Sequence, residues 1–529
     1  MALSPATRTQ TDVLVVGGGP AGTWAAIRAA RAGASVVLAD KAFCGTSGST
    51  AAAGTGIWYV EPTPDAREAA MASREGLGGY LADRRWMQRV LDETYARVDE
   101  LTQTPSYPFP VDESGAQYRR GLQGPDYMRR QRIRLKRLGV EIRDHSPVTD
   151  LLVDADGAVA GARGVHRRTG EEWEVRAGAV VLATGACAFK QKALGTDVAT
   201  GDGALLAAEV GAAMSGMEFS NSYGIAPEGT TVTKTAYYSF ATFYREDGSV
   251  LEGAKSQGGR KPIARELQSG RKVLARLDKA DAFVQTAIRL DQPNFLLPFD
   301  RLGIDPFRDM FPVTLILEGT VRGTGGVAIV DDGCSAGVPG LYVAGDTATR
   351  ELICGGFTGG GSHNAAWAIS SGSFAGTTAA AYALALKGSS ASRPVQGAGG
   401  AGLRPGRRRG AVTTGEVVAA VQAQVAPYDI NYFRTAERLE PALQALHGIW
   451  AAARDGLADA EPWRAREAAA MAAHGRWMYT AALARTESRG MHWRADFPTQ
   501  DPAQHGRLLT GGLDDVWTRP ERALAGVAS

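Results

Sequence analysis

The first strong pattern in the chain is an unbroken apolar run, Val13–Val16, that stops at a glycine-rich turn, residues 17–22 (GGGPAG). A helical run, Thr23–Ala32, follows the turn, and a second strand, Ala34–Ala39, closes on Asp40. Strands and helices then alternate to about residue 225, the pattern of a doubly wound α/β sheet. Val140–Ile142 and Val148–Val153 read as strands flanking His145-Ser146-Pro147. Gly161–Val165 and Trp173–Val175 read as a hairpin around Arg168-Thr169-Gly170-Glu171. Ala179–Ala183 is a further strand ending in Thr184-Gly185, and the turn Thr200-Gly201-Asp202-Gly203 opens a helix to Val210.

From 226 to 320 the pattern changes. Aromatic residues crowd into Tyr237, Tyr238, Phe240, Phe243 and Tyr244, and charged helical sequence runs from Arg260 to Arg276. This predicts an inserted second domain. Glycine-rich α/β texture returns at Thr320–Gly326 and Val338–Asp346. The long run Ala365–Leu386 is rich in Ala, Gly and Ser, which suits a packed core helix better than a membrane span. Residues 387–411 have linker composition, and 414–485 repeat Ala, Leu and Trp at three- and four-residue spacing. The expected division is therefore 10–225 and 321–386 as two parts of one domain, 226–320 as a cap, 387–411 as a linker and 412–529 as a helical domain.

Composition narrows the function. At 529 residues the chain exceeds one ordinary core. A net charge of +2 argues neither for nor against nucleic acid, the basic run 404–409 (RPGRRR) reads as solvated linker, and no nucleic-acid partner is expected. Cys44, Cys187, Cys334 and Cys354 are scattered without a C-x-x-C pair, so no metal or iron–sulfur site of usual spacing is expected, nor a redox dithiol. The N-terminus has no apolar signal core and no twin arginine, so the expectation is a soluble cytoplasmic protein with free thiols.

Gly17, Gly19 and Gly22 stand at the G-x-G-x-x-G spacing between a strand and a helix. That context makes a dinucleotide-binding fingerprint of what would otherwise be a plain glycine turn. Gly17 permits the turn, Gly19 lets backbone approach a pyrophosphate, and Gly22 lets helix pack on strand. The helix N-terminus then offers free N–H groups to the phosphates, and Asp40 stands where a ribose-binding carboxylate belongs.

VVGGGPAG, DKAFCGTSGSTAAAGTGI, VVLATG, TGDG, MEFSN, GTGG, GLYVAGD and ARTESRGMHWRADFP occur in that order over residues 10–500. Together they resemble the fumarate reductase/succinate dehydrogenase flavoprotein family, which includes L-aspartate oxidase and the flavin subunit of adenylylsulfate reductase. The resemblance implies a Rossmann-like α/β FAD-binding domain with an inserted α+β capping domain and a C-terminal helical domain. It implies Gly17, Gly19, Pro20, Ala21, Gly22, Asp40 and Lys41 on the ADP half of FAD. Cys44, Gly45, Thr46, Ser47, Ser49, Thr50, Ala53 and Gly54 would follow the pyrophosphate and ring. Val148 would touch adenine through its backbone, with Thr184, Gly185 and Asp202 on the nucleotide side. Gly345 and Asp346 would reach the ribityl hydroxyls, and Ser362 and His363 the flavin ring.

The departures carry the functional reading. Ser49 stands where succinate dehydrogenases have a flavin-linking histidine, so FAD is expected to be noncovalent. The family's HPTG segment is replaced by Ser220–Gly224, with Tyr223 near the histidine position. Its HYTMGG becomes Val321–Gly326, and its late clamp arginine is gone around Phe357-Thr358. A C4 dicarboxylate needs several cationic donors, so succinate and fumarate are not expected. Residues 357–364 (FTGGGSHN) resemble the adenylylsulfate reductase pattern and place His363 at the ring.

The proton-transfer candidates are His363 and, in Ile263–Leu267, Arg265, whose other reading is a surface pair with Glu266. Tyr223, near the family's histidine position, is a third catalytic candidate, and Tyr223, Trp58 and Tyr59 are candidate ring walls, or core. Arg322 or Arg350 is a candidate anion contact. Glu487, Arg489, His492, Arg494 and Asp496 read as a salt-bridge lattice docking the helical domain. Cys44 and Cys187 read as small buried residues, with a cysteinyl–flavin link from Cys44 as the other reading. The expected function is hydride transfer between flavin N5 and a small polar or anionic organic substrate. Electrons would pass to or from a separate ferredoxin-like iron–sulfur protein. The alternatives are a stand-alone oxidase like L-aspartate oxidase, or a flavin electron carrier without its own substrate. Homo-oligomerisation stays open.

Overall fold

The computed structural model describes residues 7–521 except 104–105, 112–113, 359–360, 387–392, 401–409, 455 and 459–460. The basic run 404–409 and most of the expected linker 387–411 lie outside the described residues, as do Gly359 and Gly360 of the FTGGGSHN segment.

The apolar run is the carboxyl end of a strand, Thr7–Val16, flanked in parallel by Val36–Ala39 and Glu172–Leu182. Glu141–Arg143 adds in parallel beyond Val36–Ala39, and Leu341–Val343 pairs in parallel with Val180–Leu182. Val159–Val165 and Val148–Val153 extend the sheet antiparallel on the far side. All four residues of Val36–Ala39 are buried, as expected of a parallel strand covered on both faces.

The segments read as two strands, Trp173–Val175 and Ala179–Ala183, are one strand of eleven residues, Glu172–Leu182. Arg176 and Ala177 keep its pairing with Gln10 and Thr11. The glycine that made it look broken is needed for packing. A Cβ at Gly178 would come within 2.7 Å of Ala383, so the long helix Gly361–Ala385 lies directly on the strand there. The same helix meets Pro20–Arg31 backbone to backbone. A Cβ at Gly372 would lie 2.3 Å from Ala21 O, and one at Gly376 would lie 2.2 Å from Ala25 O.

A four-stranded antiparallel sheet forms the cap, in the order Ser222–Pro227, Phe311–Gly319, Val273–Arg276, Thr242–Arg245. It begins at Ser222 rather than 226, because residues 222–227 pair with the strand that ends the cap. The charged stretch 260–276 is not one helix. Helix Arg260–Gln268 stops before Gly270, whose φ of 78° leaves the helical region, and Val273–Arg276 is a strand. The aromatics are the cap's core, with Phe299 and Phe311 rings 4.6 Å apart.

The C-terminal helices are Thr414–Val425, Ala436–Ala453 and Pro462–Ala484, the last buried on all sides. Among the described residues after it, the one helical piece is a 3-10 turn, Pro502–Gln504. Leu508–Gly511 pairs with Trp517–Pro520 on one side and with Met214–Ser215 on the other, so this end closes a small sheet on the first domain. Among the described residues, no helix is long and apolar enough to cross a membrane.

Buried ions fasten this end. Arg485 Nε donates to Glu218 Oε1 at 2.7 Å and Nη1 to Glu487 Oε1 at 2.9 Å, while Arg489 Nε donates to Glu487 Oε1 at 2.6 Å and Nη1 to Gly79 O at 2.6 Å. Arg494 pairs with Asp496, and His492 sits against Arg434, all inside this lattice. Glu351, fully buried, accepts from Ser215 Oγ at 2.7 Å. Burial and the nearby Glu218 charge push its carboxyl above the ordinary range, to about 8. An acid raised in the folded state favours folding at low pH, and that contribution is lost as pH climbs from the ordinary carboxylate range to about 8. Glu351→Gln should therefore gain stability over the native chain by about 1–3 kcal/mol at pH 8 and by little at pH 5, measured by urea unfolding at both pH values. An equal difference at the two pH values would show that this carboxyl does not titrate.

Candidate functional site

Neighbouring strands connect to opposite sides of Thr7–Val16, so its carboxyl end is a topological switch point, where open α/β sheets bind ligands. A cleft of about 1270 Å³, its open mouth included, lies there.

The fingerprint glycines divide the work as their spacing predicts. Gly17 has φ 107°, and a Cβ on it would strike Ala183 O at 2.2 Å. A Cβ on Gly22 would lie 1.8 Å from Gly17 O, so only glycine lets this helix sit on this turn. A Cβ on Gly19 would meet no protein atom, so the space beside it belongs to the cleft. Gly19 also caps helix Pro20–Arg31 without a side-chain hydrogen bond, which leaves the first N–H groups for an anion. Asp40 ends the second strand and holds the turn. Its Oδ2 accepts from Gly18 N at 2.7 Å, and Oδ1 from Ala42 N at 2.7 Å and Ser47 Oγ at 3.2 Å.

Gly17, Gly19, Pro20, Ala21, Asp40, Lys41, Ser47, Ser49, Thr50 and Gly54 line the cleft, as do Val148, Thr184, Gly185, Asp202, Gly345 and Asp346. Three of these, Lys41, Asp202 and Asp346, are ion-paired within the protein. Lys41 Nζ bonds Thr200 Oγ1 at 2.7 Å, Asp202 Oδ2 at 2.6 Å and Glu467 Oε1 at 2.8 Å, which ties the cleft wall to the C-terminal helix. Asp346 is paired with Arg350, whose Nη2 also donates to Thr320 O at 2.8 Å and Val321 O at 3.1 Å. Arg350 is thus a buried strut, and Arg322 is the arginine that lines the cleft.

Other expected residues stand elsewhere. Gly22 packs beneath the turn, and Gly45, Ala53 and the exposed Thr46 do not border the cleft. Cys44 is buried under Gly18, its Sγ 3.6 Å from Gly18 O, and burial beside Asp40 pushes its thiol up to about 12. A thiolate for a cysteinyl–flavin link is not available there. Ser362 and His363 face away from the cleft. Asn364, Ala365 and Ala368 line it, and the preceding position on that helix turns toward Trp58, whose ring centre is 4.6 Å from that of His363.

Two catalytic candidates are corrected. Tyr223 donates to Ala426 O at 2.9 Å and packs against Tyr428 and Tyr432, so it buttresses the cap against the helical domain. Arg265 is exposed, its guanidinium 5.8 Å from the Phe433 ring and 5.9 Å from that of Trp493. Tyr59 stacks on Tyr95 at 4.8 Å, away from the cleft. Among the residues the sequence reading passed over, Asn364, Ala365 and Ala368 had a signal in their i, i+1, i+4 spacing on one helix face. Ser146, Val198 and Leu206 had none, because only the fold brings them to the cleft.

An FAD binding domain family matches residues 12–223, and the fumarate reductase flavoprotein C-terminal family matches residues 423–509. An L-aspartate oxidase of Streptomyces coelicolor is 28% identical over 99% of this chain and 94% of its own length. One from Mycobacterium tuberculosis is 28% identical over 97% of each chain. In fold, the chain is similar to E. coli quinol fumarate reductase, with TM-score 0.81 at 20% identity and 99% of each chain covered. It is also similar to adenylylsulfate reductase from Archaeoglobus fulgidus, with TM-score 0.74 at 16% identity over 98% of this chain and 96% of that one.

Gly19→Val tests the division of labour among the glycines. Its new side chain meets cleft space rather than protein, so the fold and circular dichroism should be kept while FAD affinity, measured by fluorescence titration of the apoprotein, falls about 100-fold or more. Unchanged affinity would remove Gly19 from the binding surface.

Proposed function

The chain belongs to the fumarate reductase/succinate dehydrogenase flavoprotein family and is an FAD-dependent oxidoreductase; from that premise we propose that it acts on a small anionic organic substrate held where Arg322 and Asn364 line the cleft beneath the cap. The observation that carries this reading is the single cleft that joins the fingerprint turn at one end to a cationic side chain at the other. When bound, FAD supplies a site that accepts or donates hydride.

The chain's own residues bind and orient. The open N-terminus at Gly19–Ala21 takes the pyrophosphate, and the remaining acceptor capacity of Asp40 takes ribose hydroxyls. Val148 meets the adenine, Thr184 and Gly185 flank the nucleotide, and Asp202 stays neutralised by Lys41. Asp346, held by Arg350, receives the ribityl hydroxyls. Ser49 has no ring nitrogen with which to link a flavin, and the Cys44 thiol is buried, so the cofactor is noncovalent. His363 acts as a positioning residue, holding Trp58 and the helix turn that presents Asn364. In domain terms, residues 10–221 and 320–386 carry the cofactor, 222–319 cover it, and 412–521 brace it.

Electrons pass to or from a separate iron–sulfur protein. In support, the four cysteines are buried and lie far apart in sequence, and among the described residues no cluster of His, Cys, Asp and Glu could hold a metal. Free thiols also suit a cytoplasmic setting. The second reading, a stand-alone oxidase, is favoured by the full-length likeness to L-aspartate oxidases. The cap, with its own sheet and aromatic core, argues against a bare electron carrier.

Acid precipitation of the purified protein should leave all of its flavin in the supernatant as FAD. Flavin retained in the pellet would refute noncovalent binding. After anaerobic reduction, return of the oxidised flavin absorbance in air separates the two electron acceptors. Reoxidation over minutes supports a protein partner, and reoxidation within seconds, with peroxide released, supports the oxidase.

A further inference from the structure

Four charged side chains, Lys234, Arg260, Glu318 and Arg322, gather where the cap meets the cleft wall. Lys234, in the loop after strand Ser222–Pro227, is 8% exposed, and its Nζ reaches Gly54 O, in the cleft lining, at 3.4 Å. That is a long bond for a buried ammonium with three donors. Glu318, on the neighbouring strand, is also buried, and its carboxyl lies over Gly224. A Cβ on Gly224 would be 2.7 Å from Glu318 Oε2 and 3.0 Å from Thr233 Cβ. Arg322 brings its Nε within 3.9 Å of Glu318 Oε1 and lines the cleft. Arg260 lies under the same strand edge, bonded to Ser256 O at 2.8 Å and to Tyr223 O, and it feels the charges of both Glu318 and Arg322.

Three cations thus face one carboxylate, and Glu318 is shared between Lys234, Arg260 and Arg322 rather than paired closely with any of them. Burial and the Arg322 charge hold the Lys234 ammonium down to about 7, against the pull of Glu318. An anion entering from the cleft would supply the missing counter-charge and favour the ammonium form.

We propose that Lys234 is the proton-coupled arm of a carboxylate-binding pocket formed with Arg260 and Arg322: its Nζ contacts the substrate's acidic group and takes up a proton when that group binds. The proton comes from solvent, no covalent bond changes, and the ammonium so formed keeps it beside the substrate. The inference deepens the anionic-substrate reading and rests on it for the place where substrate sits.

Oxalate, titrated calorimetrically into the FAD-loaded protein at pH 8 in two buffers of different ionisation enthalpy, should bind with uptake of close to one proton. Its affinity should fall about tenfold or more between pH 6 and pH 9. Lys234→Gln should bind more weakly at pH 6, with a flat profile and no uptake, and Lys234→Arg should bind at both pH values without uptake. A native chain that binds without uptake, a K234Q protein with unchanged uptake, or no oxalate binding at pH 6 would each overturn the proposal. Should the variants not fold, competitive acetylation of the native protein reads the same group. Lys234 should become reactive around pH 7 and be protected by oxalate, and titration in the ordinary lysine range would overturn the idea. Flavin absorbance recorded beforehand keeps the two readings apart. A colourless protein that still binds oxalate with its proton refutes the flavoenzyme reading and leaves this pocket standing.

Discussion

Backbone lying directly on backbone around the first strand and helix is the constraint on which the rest depends. Gly17 lies against Ala183, Gly22 against Gly17, and Gly372 and Gly376 against Ala21 and Ala25. Helices separated by larger side chains keep axes about 8–10 Å apart, and glycine contacts remove that spacer. The long helix therefore sits close enough to hold the second acidic turn from behind. Ser371 Oγ accepts from Gly345 N at 2.9 Å, and Trp367 Nε1 donates to Gly345 O at 3.0 Å. Asp40 and Asp346, three hundred residues apart in order of magnitude along the chain, are thereby fixed on one frame at the two sides of one cleft.

Buried charge is used in two different ways. Lys41 with Asp202 and Glu467, Arg350 with Asp346, and Arg485 with Glu218 and Glu487 are closed sets with short bonds. Removing one member of such a set leaves a buried charge without its partner, at a cost of about 3–5 kcal/mol. The first and third sets sit where the C-terminal end meets the first domain, and the Arg350 set braces the first domain from within. The group around Lys234 is different in kind. Its members share a carboxylate at longer range, with Arg322 lining the cleft and Lys234 reaching the backbone of Gly54 in its wall.

The fold is common to enzymes that handle different substrates, as the likeness to a fumarate reductase and an adenylylsulfate reductase illustrates. Function therefore lies in the side chains under the cap. The cationic residues there come from three separate places: the loop after the first cap strand, the start of a cap helix, and the return into the body at Arg322. Cap and body must be docked for the pocket to exist. Tyr223, first read as a ring wall, contributes to that docking from the opposite face.

The glycine turn and the acid that buttresses it were legible in the sequence because they are local. A strand, three glycines at fixed spacing and an acid at the next strand's end specify their geometry through nearest neighbours, and the structure places Gly17, Gly19, Gly22 and Asp40 accordingly. The buried strands announced themselves for the same reason, since four apolar residues in succession suit only a covered sheet. The glycine at 178 misled, because its cause was a helix two hundred residues away in order of magnitude, not the strand it interrupts. Of the charged group under the cap only Arg322 was picked out, as a candidate anion contact. Lys234, Glu318 and Arg260 share no motif with it, and each alone is an ordinary surface-type residue. Only the pairing of Ser222–Pro227 with Phe311–Gly319, and the approach of the cap to Gly54, buries Lys234 and Glu318 and brings the half-buried Arg260 and Arg322 beside them.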